Sequence, residues 1–238
     1  MMMLKRFFIL SIIVLFAVST VMGQSKDSEM SIEESYLQEA IELMIIRETS
    51  RGDSREQKFL ALEYIGNALE RGSTNEELRT TLEYLSLEGT QNRVTQGGRQ
   101  TNIYPDVRRQ AARYLGDVGT KEAKDALIRV CTSDNEPMVL QEVIRSLGKI
   151  GLNDNDDAVN AIVWVVNKFN SGDNPDHLLA ISAIDTLQKL SIKYRRVDAN
   201  TVQLIAKISE GPYNNAVKEM AKQALVNLRR LAAVQQQS

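Results

Sequence analysis

From residue 32 onward, apolar side chains return every three or four positions with polar residues between them. That spacing is the period of an amphipathic helix, and no stretch shows the apolar–polar alternation of a half-buried strand. One ridge can be followed through the chain. Val107, Ala111, Leu115, Gly116 and Val118 reappear 32 positions later as Val139, Val143, Leu147, Gly148 and Ile150. A further 40 positions give Leu179, Ala183, Leu187, Gln188 and Leu190, and 38 more give Val217, Ala221, Leu225, Val226 and Leu228. Fifty positions before Val107 the ridge reads Gln57, Ala61, Ile65, Gly66 and Ala68. A second amphipathic helix precedes each copy, over about 32–47, 76–87, 121–131, 156–169 and 199–209. The pattern predicts five helical hairpins, each a first helix A and a second helix B. One hairpin cannot bury its apolar face alone, so the copies should stack around a continuous core.

The punctuation agrees. Pro105, Pro137, Pro175 and Pro212 all fall just before or at the start of a B helix, where a missing N–H costs nothing. Ser54 with Gln57 has the spacing of a capping box. Gly116, Gly119, Gly148 and Gly151 are expected to end B helices. The small residue in the middle of most ridges (Ala61, Ala111, Ala183, Ala221, with Val143 the exception) should let paired helices approach closely.

The stretches "YPDVRRQAARYLGDVG" and "DNEPMVLQEVIRSLGKIG" resemble the second helix of HEAT repeats, and "KEAKDALIRVCTSDNEP" resembles a first helix with its turn. The chain is identified as a member of the HEAT-like family. The resemblance implies an all-α fold, an α-solenoid of about five hairpins over 32–72, 73–119, 120–151, 152–191 and 192–234. It also implies B helices on the concave wall of a superhelix. The family often links neighbours by a turn Asp and a helix-B Arg. Arg108 fits the Arg position but Asn102 stands for the Asp; Asp134 fits the Asp position but Leu140 stands for the Arg. The ladder is therefore expected to be mostly missing.

The first 23 residues follow another rule. Lys5 and Arg6 precede an apolar run from Phe7 to Ala17, and Val21-Met22-Gly23 suits a cut before Gln24. This is the pattern of a secretory signal peptide, followed by a short polar lead over 24–31. The rival is an uncleaved membrane anchor, although the run is short against the ~20 residues of a comfortable span. One cysteine in an exported chain excludes an internal disulfide, and no Asn-x-Ser/Thr sequon occurs. A bacterial periplasmic protein is the expectation, with secretion or inner-membrane anchoring as alternatives. The formal net charge of −2 leaves no global bias towards nucleic acid.

Little in the sequence is equipped for catalysis. The single histidine, His177, sits at a helix start and is expected to be exposed; the single cysteine, Cys131, should be a buried, inert thiol. Two such residues are too few for a zinc site. The run 153–157 lacks the glycine and glutamate of a calcium loop, so its acids are expected to cap the following helix. The tripeptide Arg51-Gly52-Asp53 is expected to form a turn, and Trp164, in an all-apolar run, to lie in the core. Residues 88–105, including Gly97, Gly98 and Arg99, are read as a mobile loop too long for an ordinary hairpin turn.

What remains is charge. On a helix whose ridge is 107, 111, 115 and 118, residues 109, 113 and 117 point outward. Read across repeats, one column is Phe59, Arg109, Gln141, Ile181, Glu219; the next is Glu63, Arg113, Arg145, Asp185, Gln223; the third is Asn67, Asp117, Lys149, Lys189, Asn227. Arg109, Arg113, Arg145 and Lys149 should form a basic patch beside the loop that carries Arg99. The functional expectation is a non-enzymatic scaffold with no cofactor, which holds a protein partner through an acidic segment. The alternatives are an enzyme accessory subunit, lyase-like by the family resemblance, or an envelope component held by an uncut N-terminus.

Overall fold

A computed structural model describes residues 32–170 and 172–235. The signal peptide read at 1–23, the lead at 24–31 and the end of the tail at 236–238 lie outside the described residues. The chain divides into two compact units, 1–40 and 41–238. Of the first, only the opening of the first helix is described, and its residues from Glu33 to Ala40 are exposed.

The described residues form ten α-helices and one two-stranded antiparallel sheet. Helix α1 (Ile32–Arg51) leads to α2 (Arg55–Glu70) through the Gly52 turn. Then come α3 (Glu76–Ser86), strands β1 (Thr95–Gln96) and β2 (Arg99–Gln100), and α4 (Pro105–Val118). The rest is helical: α5 (Lys121–Ser133), α6 (Pro137–Ile150), α7 (Asp157–Phe169), α8 (His177–Tyr194), α9 (Ala199–Glu210) and α10 (Asn215–Gln235). Even-numbered helices stack on one another in order, α2 on α4 on α6 on α8 on α10. Odd-numbered helices do the same from α3 to α9. This double layer is an all-α solenoid, with the ridge residues at its seam. Val107, Ala111, Leu115, Val139, Val143, Leu147, Ala183, Leu187 and Ala221 are all essentially inaccessible to solvent.

Local chemistry sets the helix ends. Ser54 and Gln57 form the reciprocal capping box. Asn75, Thr120, Asp176 and Asp198 accept backbone N–H bonds at the starts of α3, α5, α8 and α9. Each such cap is worth about 1 kcal/mol. Pro105 and Pro137 open α4 and α6, and Gly119 (φ 72°) and Gly151 (φ 66°) close them in the left-handed conformation.

Gly116 and Gly148 are not caps. Both lie inside helices, where the next B helix comes too close for a side chain. A Cβ on Gly116 would fall 2.7 Å from Ser146 Oγ, and one on Gly148 2.7 Å from Thr186 Oγ1. Gly66 meets Tyr114 in the same way, with a Cβ 2.9 Å from Tyr114 Cζ. Three successive B–B contacts therefore run through a glycine notch. The expected ladder is also fuller than the sequence implied. Lys58 Nζ lies 3.2 Å from Glu88 Oε2, Arg108 grips Asp134 with Nε–Oδ2 at 2.6 Å and Nη2–Oδ1 at 3.1 Å, and Lys124 pairs with Asp157. Each rung joins one hairpin to the next, and all three cations are buried.

Other expectations need revision. Trp164 is 43% exposed on the outer side of α7, with Lys168 Nζ 4.8 Å from its ring centroid. Among the described residues the odd layer has no further layer outside it, so the apolar run around Trp164 leaves one side exposed. Asp156 does not cap α7 through its side chain. Its φ is 59°, its carboxylate pairs with Arg196, and Asn153 Oδ1 instead accepts from Val159 N at 3.1 Å. His177 is half-buried against Tyr213, ring centroids 5.9 Å apart.

Cys131 is fully buried, and desolvation pushes its thiol up to about 12. The folded state keeps the proton that the unfolded state loses near 9, so this group favours folding below pH 9 and that contribution falls as pH rises towards 12. At pH 8 we expect an aromatic disulfide reagent to modify the thiol only as fast as the protein opens, and stoichiometrically in urea. Rapid labelling of the native protein would place Cys131 at the surface.

Candidate partner-binding face

The 88–105 segment is not an open loop. Gly97 and Gly98 both have positive φ, 57° and 78°, the geometry of a type I′ hairpin turn. They join β1 to β2 with Gln96 opposite Arg99. A polar knot ties the hairpin's base to the solenoid. Asn102 donates to Glu88 Oε1 at 2.7 Å and accepts from Val94 N at 2.9 Å. Arg108 Nη1 donates to the Glu88 carbonyl at 3.1 Å. Asn102, at the position expected for a ladder aspartate, thus works through Glu88, which supplies the charge in its place. The tripeptide at 51–53 sits beside this knot, with Tyr104 Oη donating to the Asp53 carbonyl at 3.2 Å.

The cations read from the sequence fall into three states. Lys149 is already paired with Asp117 on the neighbouring helix. Arg109 stands 3.9 Å from Glu142 and is half in water. Arg113 and Arg145 are exposed and, among the described residues, have no hydrogen bond or ion pair. They occupy equivalent turns of α4 and α6, which stack directly. Arg99 lies on β2 beside the hairpin turn and is exposed. The patch that sequence columns suggested as four cations is therefore centred on two.

A feature absent from the sequence reading lies beside them. Between α2 and α4 runs an open groove of about 790 Å³ lined by Arg55, Phe59, Leu60, Glu63, Gln110 and Tyr114 among others. Its mouth near the helix starts is closed by Arg55, which pairs with Asp106 (Nε–Oδ2 2.7 Å) and lies 4.6 Å from the Phe59 centroid. Burial alone would raise the Asp106 carboxyl, but its hydrogen bonds from Arg55 and Val107 hold it below its ordinary value. The signals were Phe59 in the first outward column and Gly66, which leaves room for the Tyr114 ring.

Residues 102–168, which hold α4 to α7 and both free arginines, match the HEAT repeats family. The matched segment carries HEAT repeats. A comparison with curated proteins returns no match. HEAT repeats are generally protein-interaction scaffolds and typically non-catalytic. The described residues hold no group of three or more His, Cys, Asp or Glu placed for a metal. No described helix is long and apolar enough to cross a membrane.

Proposed function

We propose that this HEAT-repeat protein is an exported, non-enzymatic scaffold whose B-helix face holds an acidic segment of a protein partner. Export rests on the basic, apolar and small-residue order of the first 23 residues, and the periplasm is the compartment that order suits best. The observation that carries the binding reading is the pair Arg113 and Arg145. Most other cations facing the same surface have an intramolecular acid, as Arg55, Arg109, Lys149 and Lys189 do. These two guanidinium groups on stacked helices have none among the described residues. Two unneutralised cations on stacked helices raise the local potential and favour a carboxylate-bearing partner over a neutral one.

Charge reversal tests it. The purified Arg113→Glu/Arg145→Glu protein should fold with unchanged helicity, because both side chains are exposed. Used as bait against envelope proteins of the native cell, the parent should retain a stable partner that the variant loses. Equal recovery by both, or no partner for the parent, would overturn the reading. Export is checked separately: N-terminal sequencing of the mature protein should begin at Gln24.

A further inference from the structure

We infer that the groove between α2 and α4 is an anchor site for one apolar side chain of the acidic partner segment, whose two carboxylates then fall on Arg113 and Arg145. This rests on the reading above that the B-helix face binds an acidic partner, and it specifies the partner's pattern. The groove is apolar where it matters. Leu60 is 40% exposed and lines the groove with half-buried Phe59 and Tyr114. Tyr114 leans over Gly66, where any side chain would displace it, so the groove's shape is built into the α2–α4 contact. Its charged lining offers an acidic ligand nothing over α2. Arg55 is neutralised by Asp106, Glu56 and Glu63 are exposed carboxylates, and Glu63 has no partner among the described residues. Acids are therefore repelled from α2 and drawn across α4 towards Arg113 and Arg145. An apolar residue meets the reverse: desolvation is favourable in the groove and gains nothing on the polar surface beyond it.

The spacing follows from the stack. Packed helices lie about 8–10 Å apart, and a polyproline-II peptide rises about 3.1 Å per residue with three residues per turn. Carboxylates three residues apart then share one face and reach Arg113 and Arg145 together. The groove lies on the α2 side of Arg113, so the residue that meets it on the same face is three positions ahead of the first acid. The segment reads apolar-x-x-Glu-x-x-Glu, laid across the B helices.

The test uses three fluorescein-labelled peptide pools, with the x positions drawn from Gly, Ser and Asn: Leu-x-x-Glu-x-x-Glu, Ser-x-x-Glu-x-x-Glu and Leu-x-x-Lys-x-x-Lys. By fluorescence anisotropy on the full mature protein, the first pool should bind about tenfold more tightly than the second, as expected for burying one leucine. The third should show no saturable binding. Leu60→Ser, a surface change that leaves the core intact, should erase the difference between the first two pools. Arg113→Glu/Arg145→Glu should abolish binding of both. Equal affinity of the Leu and Ser pools, a tight lysine pool, no saturable binding at all, or tighter binding of a single-stranded oligonucleotide would each overturn the anchor. The first of these leaves the acidic-partner reading standing, because both acidic pools would still need the arginines. Partner recovery by the charge-reversed bait judges that reading independently.

Discussion

Arg108→Ala should destabilise the protein by about 3–5 kcal/mol, the range for removing one member of a buried ion pair. The guanidinium is shielded from water, and so is its partner Asp134. Nε and Nη2 hold the two carboxylate oxygens, while Nη1 reaches the Glu88 carbonyl in the hairpin knot. Truncation leaves Asp134 as a buried charge. Its Oδ1 would keep only the backbone N–H groups of Asn135 and Glu136, at 2.7 and 2.9 Å, and Oδ2 would lose its sole donor among the contacts described. The same change frees the Glu88 carbonyl, so the β1–β2 hairpin should loosen with it. Two controls separate pairing from packing. Arg108→Met/Asp134→Asn removes both charges but keeps an acceptor for the turn, and should recover at least half of the loss. Arg55→Ala breaks a half-exposed pair and should cost less than about 1 kcal/mol. Urea denaturation followed by circular dichroism gives all three values. A loss below about 1 kcal/mol for Arg108→Ala would mean that water reaches the pair.

The same residue shows how far the sequence could be read. The ridge through Val107, Ala111 and Leu115 announces itself because burial demands an apolar residue at every recurrence, whatever the spacing between copies. Stacking order and the double layer follow from it. The ladder does not follow, because an acid need only reach the right point in space. Glu88 replaces the missing aspartate from 14 positions before Asn102, and nothing in local spacing marks the two as partners. Lys58 stands at the Arg108 position of the preceding copy, but lysine in an amphipathic helix looks like any surface lysine. Gly116 and Gly148 were legible as special and misplaced as caps, because a glycine inside a helix and one just past its end differ by a single turn. The Gly97-Gly98 turn was missed for another reason. Its flanks are polar, so the alternation that identifies a hairpin was absent. On the candidate face, the outward columns place Arg109, Arg113, Arg145 and Lys149 on facing positions, but which of them is already paired depends on rotamers. Asp117 and Lys149 share a column on adjacent helices, and that pairing could have been anticipated.

The stack also determines how damage spreads, and Leu147→Ala measures it. Leu147 is fully buried in α6, which packs against α4 on one side and α8 on the other. Its truncation should cost about 2–5 kcal/mol, since neighbours on both sides are held by their own contacts and cannot collapse into the cavity. In a linear array, stability is close to a sum of repeat terms and nearest-neighbour interface terms. A central cavity weakens two B–B interfaces at once. Leu228 is as well buried, but among the described helices α10 packs only against α8 and α9. Leu228→Ala should therefore cost less overall and act locally, with amide exchange rising in α9 and α10 while α4 and α6 keep their protection. Leu147→Ala should instead raise exchange in α4, α6 and α8 together. If both variants raised exchange evenly along the whole chain, the solenoid would be unfolding as one unit, and the interfaces marked by Gly66, Gly116 and Gly148 would be too strong to open one at a time. The partner-binding face depends on that outcome, because Arg113 and Arg145 keep their spacing only while the α4–α6 interface stays closed.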